Sequence, residues 1–190
     1  MTSTDSLLRE LNHRVQNNFQ IIVSLMNLKR RTLPIDRQED IRFLQEHVQS
    51  MAVAYRLVYA TGSMTEVPVG ELMQEVIGEL RQIARLGIGQ VVLTGGDIER
   101  TMTLDQAIAF GLYLAVVLPP FLDHAARTSQ VVSISASVED VMLSMSIRGQ
   151  RAEPDALRRR LDAAYIQHLN AEKLSDSDLS EVEFRMPLAQ

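Results

Sequence analysis

Two long helical patterns in the first 60 residues limit what this 190-residue chain can fold into. The segment from Thr4 to Thr32 contains no Gly or Pro. Its apolar residues recur in steps of three and four, as do those of a second segment that follows Leu33-Pro34. The first stripe comprises Leu8, Leu11, Val15, Phe19, Ile22 and Met26, and the second Ile41, Leu44, Val48, Met51, Tyr55 and Val58. The spacing predicts an antiparallel helical hairpin that ends near Gly62.

Each helix of this hairpin has an apolar stripe too wide for the other helix to cover alone. A four-helix bundle completed by a second copy of the chain would bury both stripes, so we expect a homodimer. The alternative is that the hairpin packs against the rest of its own chain. We expect residues 1–62 to form the dimerisation hairpin and residues 63–190 to form a second domain.

The second domain alternates helical and β-type patterns, which is typical of an α/β sandwich. The predicted helices run from about Val69 to Leu86, from Leu104 onward and from Pro154 to about Lys173. The predicted strands are Gln90–Thr94, Val131–Ser137, Val141–Ile147 and Val182–Pro187, with a tight hairpin at residues 138–140. The fold class is therefore α+β, with the helical hairpin followed by the sandwich.

Composition excludes several classes of protein. The formal net charge is −5, which argues against nucleic acid as a main partner. The absence of cysteine excludes disulfides and thiolate chemistry. The longest apolar stretch, Ala107 to Leu122, is interrupted by Pro119 and Pro120, so we expect no membrane span. We expect a soluble, cytoplasmic protein.

His13 falls on the polar face of the first predicted helix, nearly opposite its apolar stripe. Arg9, Gln16, Asn17 and Gln20 share that face. A histidine on such a face is most often a solvated surface residue, and its spacing alone does not indicate a function. The sequence around it does.

Residues 7–22, LLRELNHRVQNNFQII, closely resemble the phosphoacceptor helix of the HWE and related second-type histidine kinases of bacterial two-component signalling. Gln16 stands where that family usually has lysine, and Phe19 where it has leucine. Residues 49–59, QSMAVAYRLVY, resemble the second helix of the same family. The resemblance continues more weakly to the end of the chain.

By this resemblance, His13 is the residue that is phosphorylated on a ring nitrogen. A neutral imidazole is nucleophilic near pH 7, and phosphoryl transfer depends mainly on positioning and charge neutralisation. Arg14 and Arg9 would neutralise phosphate oxygens, Glu10 would orient the ring, and Asn17 would hydrogen-bond an oxygen or a hydrolytic water. His47, His124 and His168 lack such flanking residues, so we expect them to be structural or surface residues.

The second domain resembles the family's ATP-binding domain with its ligands lost. Residues 107–125 resemble the helix that carries the magnesium-binding asparagine, but Ala115, Val116 and Pro120 occupy its ligand positions and Asp123 replaces a lysine. No asparagine lies between Asn27 and Asn170. Arg148 stands at the aspartate of a glycine-rich adenine motif, and the following segment is too short for an ordinary lid. We therefore expect no nucleotide cofactor and no metal site in this chain.

The sequence favours a histidine phosphotransferase that moves a phosphoryl group between receiver-domain aspartates through His13, without ATP. It resembles alphaproteobacterial phosphotransfer proteins that keep a kinase-like architecture with a degenerate ATP-binding domain. The partners would be response-regulator receiver domains, which would supply the magnesium ion. The alternatives are a divergent active histidine kinase and a non-catalytic adaptor that binds a receiver or a kinase. A phosphatase that acts through Asn17 is a variant of the first hypothesis.

Overall fold

The computed structural model describes residues 38–60, 65–176 and 179–188, together with single positions before them: Val15, Phe19, Ile22, Val23, Met26, Asn27, Arg31 and Pro34. All of these single positions except Pro34 are helical. The helices that follow are α1 (Gln38–Ala60), α2 (Val69–Ile83), α3 (Leu104–Val117), α4 (Pro119–Thr128) and α5 (Ala156–His168). The strands are β1 (Glu66–Pro68), β2 (Val91–Thr94), β3 (Thr101–Thr103), β4 (Val132–Glu139), β5 (Met142–Arg148), β6 (Glu172–Ser175) and β7 (Glu181–Pro187).

The predicted helical hairpin is present in the described residues. The rings of Phe19 and Tyr55 lie 5.4 Å apart between centroids. Val23 and Asn27 line the same cavity as residues 45 and 49 of α1. Residue numbers therefore rise along the first helix while those of the neighbouring α1 residues fall. The two helices run antiparallel.

Residues 65–188 form an α/β lobe around one five-stranded sheet. The strand order is β2-β4-β5-β7-β6, in which β2 is parallel to β4 and the other neighbours are antiparallel. Strands β1 and β3 form a separate antiparallel pair. Strand β1 leads into α2, and strand β3 leads into α3. The alternating burial of β4 and β7 directs one side of the sheet to the core and leaves the other side polar. The α+β fold class is confirmed.

Helix α1 packs against this lobe with the face opposite its predicted apolar stripe, which we also call the seam. Ser50, Val53 and Leu57 are buried there, mainly against α3 and α2. The approach to α3 is close at Gly111, where a Cβ atom would lie 3.3 Å from the carbonyl oxygen of Ser50. One face of α1 therefore packs against the rest of its own chain, as the alternative to the dimer would require for both faces.

The predicted apolar stripe of α1 is only partly covered by the described residues, with Val58 at its end buried in the core. Leu44 is 49% exposed, and Ile22 on the first helix is 42% exposed. Ile41, Val48 and Met51 are only half-buried. The expectation that a second copy covers this seam stays a prediction.

Pro119 and Pro120 split the predicted long helix into α3 and α4. Leu118 joins them in a helical conformation, and the two prolines take the first positions of α4, where a missing amide hydrogen is tolerated. The stretch Leu104–Thr128 is apolar enough to cross a membrane by composition, but 78% of its most apolar window is buried. The stretch therefore forms core helices of the lobe.

The structure differs from the prediction at the end of α5, at strand β6 and at the β4–β5 turn. The helix predicted from Pro154 to Lys173 ends at His168, because Asn170 adopts a left-handed conformation with φ 49°. The strand β6 that follows, and which includes Lys173, was not predicted from the sequence. The β4–β5 turn lies at Asp140, with φ 53°, so β4 extends through Glu139.

Candidate functional site

The predicted phosphotransfer residues precede the part of the chain that the structure describes in full. His13, Arg14, Glu10, Asn17 and Arg9 all lie outside the described residues. The described positions that interleave with and follow them in the sequence, such as Val15 and Phe19, are helical. The roles assigned to these five residues therefore remain those that the sequence resemblance implies.

The α3–α4 junction carries the positions where the resembled kinases hold magnesium. Ala115, Val116 and Pro120 are buried there. None of these side chains can ligate a cation through oxygen, the donor that magnesium prefers. Asp123 has a carboxylate, but it pairs with Arg42 of α1, with Nη2 and Oδ1 2.5 Å apart.

Residues 149–155 lie where the resembled kinases have an ATP lid, and hydrogen bonds fasten them to the lobe. The amide of Ala152 donates to the Pro120 carbonyl at 3.2 Å, and the amide of Arg151 donates to the Leu179 carbonyl at 2.9 Å. Arg148, at the adenine-motif position, pairs with Glu181 at 2.6 Å. The segment therefore lies against the start of α4.

A cavity of about 290 Å³ remains between α4, α5 and this segment. Three arginines line it, and a carboxylate pairs with each. Arg151 pairs with Asp176, Arg159 pairs with Glu153 at 3.1 Å, and Arg158 pairs with Glu46 at 2.8 Å. An anionic ligand in this cavity would compete with carboxylates of the chain itself.

Glu46 and Arg158 are the main residues of this region that the sequence did not single out. The Glu46 side chain is 1% exposed and accepts from Arg158 through one oxygen and from Arg42 through the other. Burial raises the pKa of Glu46, and the two arginines oppose that rise. A charged residue on the otherwise small and apolar face of α1 was the available signal.

Charges at the opposite wall of the cavity are also coupled. Burial alone would raise the pKa of Asp176, but hydrogen bonds and charge from Lys173 and Arg151 outweigh it, and the pKa is lowered. Burial raises the pKa of Tyr113 well above its usual value, and the carboxylates of Asp162 and Asp176 raise it further.

The three remaining histidines, His47, His124 and His168, lie on three different helices, α1, α4 and α5. His47 is half-buried, and its Nδ1 lies 2.8 Å from the Phe43 carbonyl oxygen, to which it donates in the neutral state. Burial lowers the pKa of His47. His168 is exposed at the end of α5. Within residues 38–60, 65–176 and 179–188, no group of three or more potential ligands could hold a metal ion.

Comparison with known proteins supports the sequence resemblance. Residues 10–84 match the family model HisKA_2, described as histidine kinase. The histidine kinase domain of the Erythrobacter litoralis EL346 blue-light activated histidine kinase is similar over 99% of this chain and 96% of its own, with a TM-score of 0.64 and 22% identity. A longer chain of the Erythrobacter litoralis EL346 blue-light activated histidine kinase is also similar, with a TM-score of 0.66 and 21% identity. The similarity covers 100% of the present chain and 61% of that kinase chain.

A search of curated proteins found no significant match to the chain. At these identities the solved structures establish the fold, whereas the family match covers the segment that contains His13 and helix α1. Residues 10–84 are thus similar to a histidine kinase family, and the whole chain has the fold of a histidine kinase domain, in agreement with the resemblance to the HWE and related second-type kinases.

Proposed function

We propose that the chain is a phosphorelay histidine phosphotransferase. His13 accepts a phosphoryl group from the aspartate of one receiver domain and passes it to the aspartate of another. The nitrogen of the neutral ring attacks phosphorus, the bond to the aspartate oxygen breaks, and the donor carboxylate is regenerated. The reverse exchange on the second receiver restores the free imidazole. No nucleotide is required by either step.

The composition of the α3–α4 junction is the observation that carries this proposal. A kinase must hold magnesium and the triphosphate in its second lobe, and the positions available here are Ala115, Val116 and Pro120. Apolar burial at these positions favours a phosphate source outside the chain. In a phosphorelay that source is the partner receiver, which brings its own magnesium.

The exposed seam of the hairpin supports the proposed homodimer. Leu44 and Ile22 present apolar surface that the described lobe does not cover. A second copy would bury this surface in a four-helix bundle. We further propose that receivers dock on the His13 face of this bundle and on the adjacent lobe, in the cytoplasm. Arg9, Arg14, Glu10 and Asn17 would then surround the transferred group in the roles set out above.

Phosphotransfer between two receivers tests the proposal. The protein is mixed with a receiver labelled on its aspartate, and then with an unlabelled second receiver. We expect label on the wild-type protein and then on the second receiver. His13→Ala should carry no label, whereas His168→Ala, an exposed histidine at the end of α5, should behave like wild type. Label on His13→Ala, or none on wild type from any receiver of the source organism, would contradict the proposal.

A further inference from the structure

The proline pair leaves two helical carbonyls without their usual partners. In an α-helix the amide of residue i donates to the carbonyl of residue i−4, and proline has no amide hydrogen. Pro119 and Pro120 therefore cannot serve the carbonyls of Ala115 and Val116. Nη1 of Arg158 donates to both, at 2.9 Å and 3.3 Å.

The same guanidinium also reaches the hairpin. Its Nη2 donates to Oε2 of Glu46 at 2.8 Å, and its plane lies over the ring of Phe43, with Cζ 5.1 Å from the centroid. Arg42 donates to the other Glu46 oxygen at 3.0 Å and pairs with Asp123. We call Arg158, Glu46, Arg42 and Asp123 the clamp. It joins α5 and α4 of the lobe to α1.

The central ion pair of the clamp, between Arg158 and Glu46, is largely shielded from solvent. Glu46 is 1% exposed and Arg158 is 13% exposed. A buried ion pair stabilises only where further hydrogen bonds satisfy the remaining donors and acceptors. Here both oxygens of Glu46 accept hydrogen bonds, and Arg158 donates three hydrogen bonds to buried acceptors.

The clamp contacts α1 well before the point where α1 meets Phe19 of the first helix. Tyr55 meets Phe19, and Glu46 lies nine residues before Tyr55 on α1. At ~1.5 Å per residue this separates the clamp from the Phe19 level by roughly 14 Å along the helix. The former nucleotide positions of α3 therefore face the half of α1 that follows the interhelical connection.

We propose that Arg158 is a positioning residue that locks the α/β lobe onto the hairpin, by binding the two carbonyls freed by Pro119 and Pro120 together with the Glu46 carboxylate. A lobe held in this way presents receivers with one fixed surface. The lock is independent of whether His13 accepts phosphate.

Hydrogen exchange on the intact protein tests this lock. In Arg158→Ala, we expect amides of residues 38–50 to exchange at least tenfold faster than in wild type, because this half of α1 loses its tether. Arg159→Ala is the matched control. Arg159 is the next residue of α5 and is 56% exposed, and among the residues that the structure describes it forms one ion pair, with Glu153, so its exchange should equal that of wild type. Equal exchange in Arg158→Ala and wild type would overturn the proposal.

Two further variants keep the test decisive. If Arg158→Ala does not fold, Arg158→Lys retains the charge but lacks the planar fork whose two Nη groups reach the carbonyls and Glu46 separately, and its exchange over residues 38–50 should still exceed that of wild type severalfold. Exchange within twofold of wild type would count against the lock. The double variant Glu46→Arg with Arg158→Glu reverses the ion pair but places a carboxylate against two carbonyl oxygens. We expect no recovery of protection, and full recovery would show that the carbonyl contacts are irrelevant.

Discussion

Helix α1 and the helix pair α3–α4 differ in how the structure uses their apolar surface. Helix α1 buries one face in the lobe and leaves Leu44 on the other face 49% exposed. Helices α3 and α4 are buried around most of their surface, with Phe110, Leu114 and Leu118 fully enclosed. Helix α1 thus keeps exposed apolar surface, whereas Ala115, Val116 and Pro120, at the positions that resemble kinase ligand positions, are buried in the core.

The largest expected effect comes from breaking the connection between these two regions. Arg158→Ala leaves Glu46 buried without its main partner, and removing one member of a buried pair costs about 3 kcal/mol or more. We expect the free energy of unfolding, measured by urea denaturation, to fall by about that amount. The paired control, Arg159→Ala on the exposed side of α5, should change it by less than about 0.5 kcal/mol.

A second change asks whether the lobe can regain its ligands. Ala115→Asn restores an amide at the family's magnesium position, but in a fully buried site. We expect a loss of about 2 kcal/mol in the free energy of unfolding, because a buried amide lacks partners there. We expect no Mg-ATP binding by calorimetry. Ala126→Asn, exposed on α4, should cost no more than about 0.7 kcal/mol, the range of helix propensities. Measurable Mg-ATP binding by Ala115→Asn would show that the lobe is a kinase site lacking one group.

The exposed seam of α1 can be tested by charge. Leu44→Asp places a carboxylate in the proposed dimer interface, and we expect the dimer dissociation constant to rise at least about tenfold, equivalent to about 1.4 kcal/mol. Sedimentation equilibrium measures this constant. Leu157→Asp is the matched control, since Leu157 on α5 is 52% exposed. Equal effects of both substitutions, or a monomeric wild type, would contradict the proposed bundle.

The smallest expected effect is a pH dependence centred on Glu46. Its pKa is raised above 4.5 in the folded protein, so the native state binds more protons than the unfolded chain above that pH. The stability contributed by protonated Glu46 is full below pH 4.5 and is lost as pH rises through the raised pKa. Arg158, Arg42 and Asp123 face this carboxylate.

Glu46→Gln removes this titration. The difference in free energy of unfolding, wild type minus Glu46→Gln, should therefore decrease as pH rises from 4.5 towards neutrality. Urea denaturation at several pH values measures it. A difference that increases with pH would mean that the arginines, rather than burial, control the Glu46 pKa.

The sequence predicted what depends on local pattern. The stripe of α1 and the stop at Leu33-Pro34 predicted a second helix after that stop, which the structure describes from Gln38, and the proline pair marked the interruption between α3 and α4. The short strand β6 was missed because the left-handed Asn170 that ends α5 was not recognised as a helix stop.

The clamp could not be predicted in the same way. Glu46 and Arg158 are 112 residues apart in the sequence, and two of the acceptors of Arg158 are backbone carbonyls. A backbone acceptor leaves no residue-type signal, and it becomes available only because Pro119 and Pro120 follow four residues later. Such a contact requires the tertiary arrangement of α1, α3 and α5.

The source of the phosphoryl group on His13 tests the central claim most directly. The intact protein is incubated in parallel with γ-labelled Mg-ATP and with a receiver labelled on its aspartate, and phosphohistidine is quantified by acid-labile, base-stable label. The account predicts label from the receiver only, and none in His13→Ala. Label that reaches His13 from ATP at a rate comparable to transfer from the receiver would contradict it and would identify the chain as an active kinase.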